Sequence, residues 1–265
     1  MTEAVQPRHI EVSIENSVAT VALNRPEVRN AINDAMRAEF IAALDRLADD
    51  TSVRAVVITG RGAGFCAGGD VSGMQERLNA PAGDVAANGW RRQKHTHRSI
   101  AALHGMGKPT IAAVNGPAMG LGCDLALCCD FIIASEQAVF AMSFIQRGLV
   151  SDGGGLYFLP RRVGLARAKE LIFTGRRVNA DEALKLGIAD RVSSADTLLK
   201  DAQDWAAELS RGSSIALALT KSILDKTFEL TEDQVFALGR EAQAMCYTTA
   251  EHRDSVAAFL NKTSK

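Results

Sequence analysis

The chain has 265 residues, 47% apolar and 23% charged, the composition of a globular protein long enough to bury one sizeable core. Thirty Lys and Arg stand against 31 Asp and Glu, so the net charge of −1 supplies no field that would gather nucleic acid or an anionic membrane. The N-terminal segment carries Glu3, Glu11 and Glu15 without an apolar run of signal-peptide length, and no stretch approaches the roughly 18 apolar residues of a membrane span; the expected location is the cytoplasm.

Taken in chain order, Ile10, Val12 and Ile14 alternate, and after a polar break Val18, Thr20 and Ala22 do the same; the pattern predicts a hairpin turning near Glu15-Asn16. From Asn30 to Leu47 the apolar positions Ile32, Met36, Phe40, Leu44 and Leu47 take helical spacing, with Asp34 and Glu39 on the other face. Three short apolar runs, Ala55 to Thr59, Pro109 to Val114 and Phe131 to Ala134, read as strands buried on both faces. Helical segments over Val85 to Met106 and Leu121 to Cys129 separate them, so the alternation is that of α/β units. Beyond Arg167 strand signals fade, and Ala168 to Phe173, Ala180 to Leu186, Thr197 to Ser210, Ile215 to Phe228 and Thr231 to Leu260 all read as helix. The expected division is a core over residues 1–195 and a helical C-terminal region over 196–265. Five cysteines, an odd number without Cys-x-x-Cys spacing, predict buried reduced thiols rather than disulfides or a zinc site.

Three loops carry candidate chemistry. Gly60-Arg-Gly-Ala-Gly-Phe-Cys-Ala-Gly-Gly-Asp70 follows a buried strand, and its glycines let backbone approach a ligand closely. Gly62-x-Gly64-x-x-Ala67 satisfies a loose dinucleotide fingerprint, but that motif should open a helix at once, whereas helix signals begin only near Ser72. The second loop, Val114 to Asp130, contains Gly120-Leu-Gly122, which should start a helix whose free N–H groups favour negative charge before it. Asp124 projects from the same face as Leu121; the alternative is an acidic residue merely favoured near a helix start. In the third loop, Ser151-Asp-Gly-Gly-Gly155, Asp152 reads first as a helix cap. His95 and His97 form a His-x-His pair on a helix, where positions two apart face different ways, so no metal site is expected. Lys108, in the turn Gly105 to Pro109, reads as solvated.

Leu23-Asn-Arg-Pro26, Phe65-Cys-Ala-Gly-Gly-Asp70, Ala113-Val-Asn-Gly116 through Asp130, and Thr174-Gly175 to Leu186-Gly187 together resemble the crotonase, or enoyl-CoA hydratase/isomerase, superfamily in order and spacing, over nearly the full length. The resemblance implies an α/β fold, a spiral of ββα units with a helical C-terminal region, assembled as a homotrimer or hexamer. It implies an acyl-CoA thioester as substrate, with coenzyme A entering only as part of it and no separate cofactor, metal, nucleic acid or membrane. In that pattern the N–H groups of Gly69 and Leu121 form an oxyanion hole, each donor worth about 2.7–4 kcal/mol to the barrier. Leu121 stands where the family commonly has glycine, which predicts a narrower acyl pocket. Arg25, Ala67 and Asp70 fall where similar proteins contact the coenzyme A adenine and phosphates, although Arg25 reads equally as a surface residue.

The archetypal hydratase of the family has glutamates three residues after the second donor and twenty further on. Here those positions hold Asp124 and Phe144. Phenylalanine holds no water and carries no proton, so the two-glutamate addition of water is not available as such. Asp152 falls where some double-bond isomerases of the superfamily place an acid/base aspartate, with Ser151 in place of their proline. Phe144, as an aromatic wall of the acyl pocket, would raise the pKa of a carboxylate nearby. The expected activity is an enoyl-CoA isomerase using Asp152, with Asp124 in a direct or positioning role. The alternatives are a hydratase using both aspartates, or a non-catalytic acyl-CoA or RNA-binding relative; the neutral charge balance and lack of a basic helix speak against RNA.

Overall fold

Asn16 and Ser17 both adopt left-handed backbone, at φ 49° and 63°, and so close a two-residue hairpin between β1 (Ile10–Glu15) and β2 (Val18–Leu23). The computed structural model of the chain describes residues 9–73 and 78–263; the reading of the extreme N-terminus and most of the helix signal after Ser72 lie outside them. β2 is buried throughout, but Val12 and Ile14 of β1 are exposed. The alternation there marks an edge strand with one neighbour, not a strand covered by the core.

β3 (Ala55–Gly60), β4 (Thr110–Val114), β6 (Phe131–Ser135) and β9 (Arg191–Ser193) extend this pair as parallel neighbours, giving the order β1-β2-β3-β4-β6-β9. A smaller sheet pairs β5 (Pro117–Met119) with β7 (Val139–Ala141) and β8 (Val178–Asn179). Consecutive strands are thus dealt to the two sheets in turn, β4 then β5, β6 then β7, which is the ββα spiral. The three apolar runs are strands buried on both faces, as read. Val56 and Ile58 face the main core. Ala55, Val57, Ile111, Ala113 and Ile133 face a second one, closed by Leu198, Ala202, Trp205 and Ala206.

α1 (Asp34–Asp49) starts later than its apolar spacing suggests, because Asn33 is the cap that accepts from the Met36 N–H at 2.8 Å. Asn30 lies outside the helix, left-handed and fully buried. α2 (Ala82–His104) and α3 (Leu121–Leu127) precede β4 and β6. α4 (Gly155–Val163), α5 (Leu165–Thr174) and α6 (Ala180–Leu186) follow β7, and α7 (Leu198–Leu209) lies on the back of the large sheet. Lys108 is not simply solvated: its Nζ donates to the Leu47 and Asp50 carbonyls at 2.5 and 2.7 Å, satisfying acceptors left over at the end of α1.

The remaining helices are α8 (Ser214–Leu224), α9 (Glu232–Tyr247) and α10 (Ala250–Thr263), the last two divided at Thr248-Thr249 where the spacing suggested one helix. α8 is pinned through Lys221, whose Nζ lies 2.8 Å from Asp130 Oδ2, and through the Tyr157 hydroxyl, which donates to the Asp225 carbonyl. Neither α8 nor α9 buries a residue fully. Among the described residues, no helix is long and apolar enough to cross a membrane.

Candidate active site

Asn30 organises the first glycine loop. Its Nδ2 donates to the carbonyls of Arg61, Gly64 and Phe65 at 3.0, 2.8 and 3.1 Å, and its Oδ1 accepts from the Arg25 N–H at 2.8 Å. A buried amide with its donors and acceptor satisfied in this way fixes the loop without water. The spacing of apolar residues treated Asn30 as a helix start; the available signal was an Asn able to take the left-handed conformation that Arg29 and Asn30 share. The same loop does not open a helix after Gly62-x-Gly64, so the dinucleotide geometry is absent there.

Downstream, the loop lies between two neighbours. Cys66 bridges to β5, accepting from the Met119 N–H at 2.9 Å and donating to the Pro117 carbonyl at 3.0 Å. Gly68 and Asp70 both bond to Ile32, at 2.8 and 3.0 Å. In an extended segment successive N–H groups point to opposite sides, so the N–H of Gly69 faces away from Ile32. Gly68 sits at φ 100°, and a Cβ there would lie 2.8 Å from the Met119 carbonyl oxygen, so the loops meet at a position only glycine fills. In the second loop Gly120 donates to Ala141 and accepts from Asp124, and Leu121 opens α3. Among the described residues, neither the Gly69 nor the Leu121 N–H donates to a protein acceptor.

Both residues border a cleft of about 140 Å³, together with Ala67, Phe144 and Asp152. Phe144 is half-buried against the core beside Gly120. The Leu121 side chain packs toward the third loop, where a Cβ on Gly153 would come 2.5 Å from Leu121 Cδ1. Asp152 is partly buried, and burial pushes its carboxyl above the usual range while a bond from its own N–H, then His97, Arg92 and Gln93, draw it back. Its side chain does not cap α4: Gly154, at φ 103°, occupies the cap position without a side-chain bond.

Asp124 is fully buried and does not border the cleft. Its Oδ2 accepts from the Gly153 N–H at 2.9 Å and its Oδ1 from the Ser151 hydroxyl at 3.2 Å. Burial outweighs those bonds, and with Asp152 nearby it raises the carboxyl to about 7. A Cβ on Gly153 would lie 2.6 Å from Asp124 Oδ2, which accounts for glycine directly after Asp152.

Arg25 Nη1 lies 2.8 Å from Asp70 Oδ2, both side chains mostly covered. The Ser72 hydroxyl, then Arg25, hold the Asp70 carboxyl down at about 2. Ala67 is exposed beside them, and its N–H donates to the Arg29 carbonyl at 2.8 Å. Cys66, Cys123, Cys128 and Cys129 are buried free thiols and Cys246 is partly buried; burial pushes Cys66 up to about 12, so it is inert as a nucleophile at neutral pH. No cluster of three metal-ligating side chains occurs among the described residues. His97 instead meets the Asp152 main chain, its Nε2 lying 2.9 Å from that carbonyl oxygen.

The sequence model of the enoyl-CoA hydratase/isomerase family matches residues 13–265. The chain is 37% identical over 251 residues to 1,2-epoxyphenylacetyl-CoA isomerase of Escherichia coli (strain K12), covering 95% of each protein. It is 33% identical to crotonyl-CoA hydratase of Syntrophomonas wolfei, covering 94% of this chain and 93% of that one. Among solved structures, an enoyl-CoA hydratase from Polaromonas sp. JS666 superposes with a TM-score of 0.88 at 36% identity, over 96% of this chain and 97% of the other.

Proposed function

The chain belongs to the enoyl-CoA hydratase/isomerase family, and from that premise we propose that it is an acyl-CoA enzyme whose reaction is the shift of a double bond. The observation that carries this reading is the pairing of two unused N–H groups, Gly69 and Leu121, with one carboxyl, Asp152, around a common cleft. In this reading the thioester carbonyl oxygen accepts from both N–H groups. Asp152 removes a proton from one carbon of the acyl chain, the electron pair moves through the dienolate to the thioester oxygen, and Asp152 returns the proton two carbons away. The double bond moves and no atom is gained or lost. The chemistry needs no redox group, because the charge that develops is held by donors fixed in advance.

Asp124 is proposed as a positioning residue, tying α3 to Ser151 and Gly153 from outside the cleft. A hydratase requires a second proton carrier to place water, and Phe144 occupies the position where the family's second glutamate stands. The pairing of Arg25 with Asp70 beside exposed Ala67 supports a coenzyme A rim there. A homotrimer or a pair of trimers is proposed from the family resemblance, and the apolar side chains that the C-terminal helices leave exposed, among them Phe236, Met245 and Tyr247, support an interface there.

Incubation with 2-enoyl-, 3-enoyl- and aromatic acyl-CoA thioesters in deuterated water, followed by proton NMR, tests the reaction. Interconversion of 2- and 3-enoyl isomers with deuterium entering the α and γ carbons is the expected outcome. A 3-hydroxyacyl-CoA as the main product would make the enzyme a hydratase instead.

A further inference from the structure

The Asp152 segment divides two cavities. The cleft lies on one side, and on the other is a space of about 570 Å³ between α2, α4 and α8, bordered by His97, Asp152, Gly153 and Phe158. A loop with open volume behind it holds its position only where it is tied. Ser151 and Gly153 are tied to Asp124, at 3.2 and 2.9 Å. Asp152 itself is tied once through its main chain, by His97 at 2.9 Å, and among the described residues no other group donates to that carbonyl. A carbonyl oxygen only accepts, so His97 Nε2 carries the proton.

We infer that His97 is a positioning residue: its Nε2–H, reaching across from α2, holds the Asp152 main chain at the rim of the cleft and so keeps the carboxyl within reach of the acyl carbon. This rests on the reading of Asp152 as the base. Two aspects of the geometry support it. The tie comes from α2 and Asp124's from α3, so the segment is held from two helices. It also engages the main-chain carbonyl of Asp152 and not its carboxyl. A misplacement of about 1 Å is enough to cost on the order of 10²-fold in rate.

The test compares His97→Phe, which fills similar space without the donor, with His97→Gln, which keeps an N–H. Deuterium exchange into a 3-enoyl-CoA is followed for kcat and KM, with melting temperature alongside, and both His97 variants are repeated on Asp152→Asn. His97→Phe is expected to lower kcat roughly 10- to 100-fold with KM within about twofold. His97→Gln should recover most of that loss, and neither change should matter further once Asp152 is Asn. The inference is overturned if His97→Phe leaves kcat within about twofold, if it acts through KM alone, or if it costs as much on Asp152→Asn as on the unaltered chain. Asp152→Asn with unimpaired exchange would remove the base assignment and the positioning role with it. Loss in Asp152→Asn without loss in His97→Phe would remove the positioning role only.

Discussion

Replacing Asp152 with Asn keeps the side chain's size and removes its ability to take a proton. Because Gly154 rather than Asp152 holds the cap position of α4, the helix loses nothing in the exchange. The expected outcome is a fall in isomerase turnover of roughly 10²–10⁴-fold, with melting temperature and acyl-CoA affinity little changed. The pH profile adds a sign. Burial raises the Asp152 carboxyl, and the proposed base works only when ionised, so the acidic limb of kcat/KM should lie above the ordinary carboxylate range near about 4 and vanish in the Asn variant.

Asp124 gives a different pH signature. Its folded carboxyl titrates near about 7 and its unfolded one near 3.8, so between those values only the folded protein holds the proton. Stability from this group is therefore full below the unfolded value and is lost as pH rises toward 7, by up to about 1.4 kcal/mol per pH unit. Melting temperatures of the unaltered chain and Asp124→Asn, compared from pH 5 to pH 8, check this: the fall with rising pH should flatten in the variant.

At the scale of elements, the site depends on how two loops and two helices meet. Gly68 carries the contact between the first loop and Met119, and Ala there would have to push the Met119 carbonyl from 2.8 Å in a backbone conformation unfavourable to any side chain. Gly68→Ala should separate the Gly69 and Leu121 donors and lower kcat by about 10²-fold or more, the order seen for loss of one oxyanion donor. α7 holds the other face of the large sheet. Trp205 packs on Phe131, ring centroids 4.9 Å apart, and under the Arg191 guanidinium at 3.7 Å. Trp205→Ala should cost about 3–5 kcal/mol, measured by urea unfolding.

For the whole molecule, α8 and α9 bury no residue fully while Phe228, Phe236, Met245 and Tyr247 stand exposed. Light scattering at micromolar concentration should return three or six times the mass of the chain; a monomeric mass would leave that apolar surface without the proposed partner.

Local signals decide whatever depends on neighbours in sequence, and for that reason the buried strands, the helical last third and the glycine loops were legible in the amino-acid sequence, whereas Asp152 read locally as a helix cap, a position that Gly154 holds instead. The hairpin alternation was legible too, but whether its apolar face would be covered depends on which strand ends at the sheet edge, a property of the assembled sheet. Asn30 looked like a helix residue because its three carbonyl partners lie 31 to 35 positions away. Locally, Asp124 read as an acidic residue near a helix start and Asp152 as a helix cap. Only packing, which buries one beneath Ser151 and Gly153 and leaves the other at the cleft, gave them different proton affinities and different surroundings, because desolvation is set by the atoms that the fold brings together and not by those adjacent in the chain.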